Sequence, residues 1–215
     1  MSTQSTADII DLLAGIAPGD PLTAVRDGRA QARENAQLSF EALLEPAEPG
    51  DFPLAERYAV AFFVARLHGF AEAADFYGDL LGDEAPQLAA RVAAAAADAA
   101  TAGTAGPAAP YGRYREPGLQ GESSEGPRWT PGAESATTLG VRLSAALTHA
   151  HLLVFRPREA RAQALQELVD AGWSADDIVS LSQLVAFLAF QLRLAWGLRV
   201  LAAAPAAPGL TTEGA

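Results

Sequence analysis

Apolar positions recur along this chain with the period of an α-helix almost from end to end, and no stretch alternates as a strand would. Ser5 and Asp8 form a capping pair ahead of Ile9, Ile10, Leu12, Leu13 and Ile16, and Ala17-Pro18-Gly19-Asp20-Pro21 stops that first helix. Asp20 caps a second helix reaching about Leu44. Its inward candidates are Leu22, Val25, Phe40 and Leu43, and Gly28 is a point where it bends or breaks. After a turn over 45–53, Pro53 opens a third helix. From Ala59 to Leu67 only Arg66 interrupts its apolar run, so burial on most sides is expected before Gly69 ends it. A short helix over 71–81 follows, then an alanine-rich helix over 84–100, expected at the periphery because alanine buries little surface.

The pattern fails over 101–136, where Gly and Pro are dense. Tyr111, Tyr114 and Trp129 within it either pin the loop to the body or form a lid over a pocket. Helical periodicity returns over 137–154, stops at Arg156-Pro157-Arg158, and resumes over 159–171. Ser174 and Asp177 then make a capping box for a helix to about Leu201. The chain thus divides into an N-terminal helical extension (1–52), a first core half (53–100), a Gly/Pro-rich loop (101–136), a second core half (137–203) and a tail (204–215) expected to be disordered.

Composition narrows the chemistry. The 215 residues include 26 acids and 15 bases, a net charge of −11, and every base is arginine. The acidity is concentrated in residues 1–100, with 16 acids against 6 arginines. Such a surface argues against nucleic acid and anionic membranes as partners. Without lysine there is no Schiff base. Without cysteine there is no thiol cycle, disulfide or zinc–thiolate site. The composition fits a cytoplasmic protein, and arginine in place of lysine fits a GC-rich bacterial genome. No basic leader precedes the first helix. The run 178–201 is apolar, but Ser180, Ser182, Gln183, Gln191, Arg193 and Arg199 interrupt it, so a buried central helix is expected rather than a membrane span.

Two stretches resemble the alkylhydroperoxidase D-like / carboxymuconolactone decarboxylase family. In the first, Ala65-Arg66-Leu67-His68-Gly69 stands where the family has a helix end before its Cys-x-x-Cys pair. The second runs from 139 to 201, where Gly172-Trp173-Ser174 precedes a long apolar helix ending in Phe190-Gln191 and Arg193. The resemblance implies a compact all-α domain of the alkylhydroperoxidase D type, assembled as a homo-oligomer, in a peroxidase-related antioxidant family. Carried over position by position, the two cysteines fall on Phe70 and Ala73, the residue before the second on Glu72, the later histidine on Tyr77, and the upstream acid on Tyr58. Every member of the thiol relay is replaced, so thiol peroxidase activity is not expected.

What remains for catalysis at that place is Tyr58, His68, Glu72 and Tyr77, a set able to move protons on a small organic molecule. Family members without the cysteine pair include lactone decarboxylases, which gives such chemistry a precedent. The alternative is a non-catalytic helical oligomer that binds a small molecule or partner protein, with Tyr58, Phe70, Phe76 and Tyr77 filling the former pocket. Elsewhere, His149 and His151 suggest a metal site, but residues i and i+2 point about 200° apart on a helix, so the expectation is one buried histidine and one at the surface. Arg156, Arg158 and Arg161 form the densest positive patch, able either to receive an anion or to lie solvated near a helix end. No nucleotide-binding, serine-elbow or zinc-protease motif is present, so no cofactor and no metal are expected.

Overall fold

The computed structural model describes residues 8–103 and 110–204. Among these, the regular structure is helical and the protein is all-α. Ser5 and residues 205–215 lie outside the described residues.

Asp8 caps α1 (Ile9–Ala14), accepting from the Asp11 amide at 2.9 Å. Asp20 accepts from the Leu22 amide at 2.8 Å at the start of α2 (Leu22–Asp27), and the chain breaks at Gly28-Arg29 before α3 (Ala30–Leu44). The sequence reading treats α2 and α3 as one helix with a weak point. The break lets Arg26 and Arg33 converge on α1. Arg26 meets Asp11 at 2.8 Å and Asp8 at 2.9 Å, while Arg33 meets Asp8 at 3.1 Å and also pairs with Asp11. The turn over 45–53 is held by Arg57, which donates to the carbonyls of Phe52 and Leu43, both at 2.7 Å.

The centre of the molecule is α4 (Leu54–His68), whose residues 59–61, 63–65 and 67 are fully buried. Gly69, at φ 67°, turns the chain back into α5 (Ala71–Glu84). The Phe62 ring lies 3.3 Å from where a Cβ on Gly78 would stand, so α4 and α5 form an antiparallel hairpin. The alanine-rich α6 (Pro86–Ala102) corrects the expectation of a peripheral helix: Val92, Ala95, Ala96 and Ala99 are fully buried, packed against α4 and α5. Alanine buries little area, but it lets helix axes approach closely, and position in the bundle decided the outcome.

Structure also enters the expected loop. The 3₁₀ turn at Pro117–Glu122 falls within 101–136, and the helix α7 (Ala133–Leu139) begins within it. Gly140, at φ 81°, separates α7 from α8 (Val141–Phe155), the two meeting at 117°. A 3₁₀ turn at Pro157–Glu159 leads to α9 (Ala162–Asp170). Ser174 accepts from the Asp177 amide at 3.1 Å and opens α10 (Ala175–Ala203). Just before it, the buried Trp173 donates to the Arg142 carbonyl at 3.0 Å and lies beneath the Arg142 guanidinium. By length and composition α10 could cross a membrane, yet half of its most apolar window is buried against the rest of the protein. It packs on α1, α3, α4 and α8, which brings the two stretches of family resemblance together in one core.

Candidate functional site

The residues carried over from the resemblance distribute along the α4–α5 hairpin. Tyr58 and His68 are ten residues apart on one helix, about 15 Å along its axis, so they do not share a location. Tyr58 is buried near the open end of the hairpin. Its phenol pKa is raised, first by burial and then by the negative charges of Glu45 and Glu84. At the turn end, Phe70 is buried edge-on against Trp196, with ring centroids 5.5 Å apart. Glu72 does not point into the core: it lies at the surface and pairs with Arg199 of α10.

Tyr77 is the buried member of the set. Its hydroxyl donates to Gln191 Oε1 at 2.5 Å, joining α5 to α10 in the fully buried core. Burial drives its pKa upward, so the phenol stays protonated. The other face of the amide is unsatisfied: Gln191 Nε2 has no partner among the described residues, and neither does the buried His68 Nε2. Burial, helped by the positive charge of Arg193, lowers the His68 pKa to about 4. His68 thus stands at the turn end of the hairpin, while Tyr77 lies further along it, beside the Gly78–Phe62 contact, and Gln191 reaches it from α10. Ala73, at the second cysteine position, is fully buried.

A second constellation lies on α8. His149 and His151 are both buried, at 3% and 1% exposure, contrary to the expectation of one at the surface. Their opposite directions do hold, but α8 is flanked on several sides, by α4, α7, α9 and α10, so both faces are covered. His149 Nε2 lies 3.2 Å from Ser182 Oγ on α10. His151 is framed by the Phe155 ring at 4.6 Å and the Trp129 ring at 5.8 Å. Burial lowers both imidazoles to about 4, and Arg156 lowers His151 further. Among the described residues no group of three His, Asp or Glu is arranged to hold a metal ion.

The long loop is pinned to the body. The Tyr111 amide donates to the Phe155 carbonyl at 2.7 Å, and Trp129 Nε1 donates to Asp98 at 2.7 Å while its ring packs on Phe63. Arg158 lies over the Tyr114 ring and donates to the Pro110 carbonyl at 2.8 Å. Gly126 is required here, since a Cβ would fall 2.5 Å from Tyr111. Trp129 also forms one wall of a cavity of about 460 Å³ between the loop, α8 and α9. Sequence reasoning singled out Arg156 and Arg161 together, as part of one positive patch with Arg158, and His151 and Trp129 each apart from it. It missed Arg128 and Glu159, which nothing in the local pattern marks, and it had no means of seeing that Arg128, Trp129, His151, Arg156, Glu159 and Arg161 share one cavity.

Comparison of the chain with family models, with curated proteins and with solved structures finds no match.

Proposed function

We propose that this chain is a peroxidase-related, alkylhydroperoxidase D-like protein that has lost thiol redox chemistry, working as a cytoplasmic homo-oligomer. The observation that carries the reading is the Tyr77–Gln191 hydrogen bond. It joins the position of the family's later histidine to the end of the family's last helix, so the two stretches of resemblance meet through their distinguishing residues. With the cysteine positions held by Phe70 and Ala73, any chemistry left here is proton transfer on a small organic molecule by neutral His68, with Tyr77 and Gln191 as donors. The surface position of Glu72 removes it from that set, and the distance of Tyr58 removes it too.

The test is to restore the missing pair. Phe70 is the N-cap of α5 and Ala73 lies in its first turn. Thiols at a helix N-terminus are acidified and reactive. The Phe70→Cys/Ala73→Cys variant is expected to form an intramolecular disulfide and, with a dithiol reductant, to consume alkyl hydroperoxide where the parent does not. If the two thiols stay inert and unlinked under oxidant, the carry-over of positions is wrong.

A second reading, a non-catalytic oligomer, is favoured by the filled pocket and by the outer face of α10. Val179, Phe190, Trp196, Val200 and Leu201 are each about half exposed there. The helix α4 is internal to the subunit, and the exposed apolar side of α10 is a face available to a second copy. Light scattering is expected to give a multiple of 22.3 kDa, and Phe190→Glu/Trp196→Glu to reduce it to the monomer. A monomer at every micromolar concentration would refute the assembly.

A further inference from the structure

The α8–α9 cavity uses arginines in a way the rest of this acidic chain does not. Arg128, Arg156 and Arg161 all line it. Two of them are tied to one carboxylate: Glu159 Oε2 accepts from Arg128 at 2.9 Å and is also held by Arg156, whose Nε donates to the Pro127 carbonyl at 3.0 Å. That leaves Glu159 Oε1 buried and without a partner among the described residues. Arg161, exposed at the rim, has no side-chain partner among them. On the inner wall the buried His151 also carries an unpaired Nε2. An adjoining recess of about 190 Å³ shares Thr130, Thr148, Leu152, Ala164 and Glu167 with it and is also lined by His149, whose buried Nδ1 is unpaired among the described residues.

Buried polar atoms without partners are costly and rare in folded proteins, and three of them belong to residues that line these two adjoining spaces. Each needs a specific complement. The rim guanidinium calls for an oxyanion. Glu159 Oε1 can only accept, so it calls for a hydroxyl or amine. Trp129, Leu152 and Ala164 offer an apolar wall. Glu167 also lines both spaces, so three guanidiniums face two carboxylates, an excess suited to one negative charge.

We infer that this cavity binds a small organic monoanion whose hydroxyl lies close to its oxyanion and whose remainder is apolar, the chemistry of a hydroxycarboxylic acid. The arginines deliver the negative group, Glu159 takes the hydroxyl proton as a hydrogen bond, and the apolar chain runs along Trp129 and Leu152 toward the recess. The site is separate from the Tyr77–Gln191 pair and does not depend on the family reading.

The experiment is calorimetric titration of the full chain with 3-hydroxyhexanoate, hexanoate, hexane-1,3-diol and inorganic phosphate. The hydroxy acid is expected to bind, hexanoate about 10-fold more weakly for want of the hydroxyl, and the diol at least about 100-fold more weakly for want of charge. Arg161→Ala, a change at the exposed rim, should weaken the hydroxy acid about 10-fold. Arg66→Ala, on the exposed face of α4, should leave it unchanged. His151→Phe, which keeps the ring stack, should also weaken binding. No heat with any probe up to about 10 mM, or equal affinity of the parent and Arg161→Ala, overturns the assignment. Phosphate binding as tightly as the hydroxy acid overturns the organic ligand.

Discussion

Acidification should destabilise this protein well above the pH at which carboxylates titrate. His68, His149 and His151 are held with pKa values lowered from 6.5 to about 4, chiefly by burial. Between those values the unfolded chain binds protons that the folded chain refuses, so stability rises with pH through this window and is lost as pH falls. Each histidine contributes at most about 3 kcal/mol across the full window, at about 1.4 kcal/mol per pKa unit. From pH 7 to pH 5 the loss is about 2 kcal/mol per histidine, or about 6 kcal/mol in all, against a typical total stability of about 5–15 kcal/mol. Two effects run the other way. Glu45 and Glu56 have raised pKa values, mainly from burial, so protonating them favours the folded state and offsets part of the histidine effect. Relief of the −11 net charge also favours the folded state as pH drops. The assay is urea unfolding at pH 7, 6 and 5. With a slope of about 2 kcal/mol per molar urea, the midpoint should fall by up to about 3 M between the extremes. His151→Phe removes one titrating group while keeping a ring between Trp129 and Phe155, and should remove about a third of the pH dependence. An unchanged midpoint between pH 7 and pH 5, or an undiminished slope in His151→Phe, would refute the reasoning.

Three further outcomes are expected. Tyr77→Phe should destabilise by about 1–3 kcal/mol in urea unfolding, because Gln191 would be left with neither amide atom paired in the core; Tyr77→Phe/Gln191→Leu should recover part of that loss. Ala96→Leu should destabilise by about 1–3 kcal/mol, since it forces three extra carbons into a fully buried helix contact, whereas the same change at the exposed Ala97 should be near neutral in thermal melts. The unmodified chain should show no dithiol-dependent turnover of alkyl hydroperoxide above a heat-inactivated control, because it has no group able to form a sulfenate.

The helical class, the apolar central helix with its glycine stop, and the Ser174–Asp177 cap follow from the sequence because they rest on local rules: periodicity, capping chemistry and the left-handed conformation that Gly69 alone adopts cheaply. The absence of thiol chemistry follows from composition alone. Tertiary structure decided the rest. Nothing in the local pattern pairs Arg26 and Arg33 with Asp8 and Asp11; the break at Gly28 turns them onto those carboxylates. The burial of α6 was hidden because alanine carries the same weak signal on a surface as in a close helix contact. His149 and His151 are both internal only because helices cover both faces of α8. The positions inherited from the resemblance were separated by the rise of the helix itself, which sends Tyr58 to one end of the hairpin and Phe70 to the other. The α8–α9 cavity gathers Arg128, Glu159 and His151 from a loop, a 3₁₀ turn and a helix. Such convergence has no spacing in the sequence. It depends on how the loop returns across Phe63, Asp98 and Phe155, and side-chain packing over long sequence separations fixes that path.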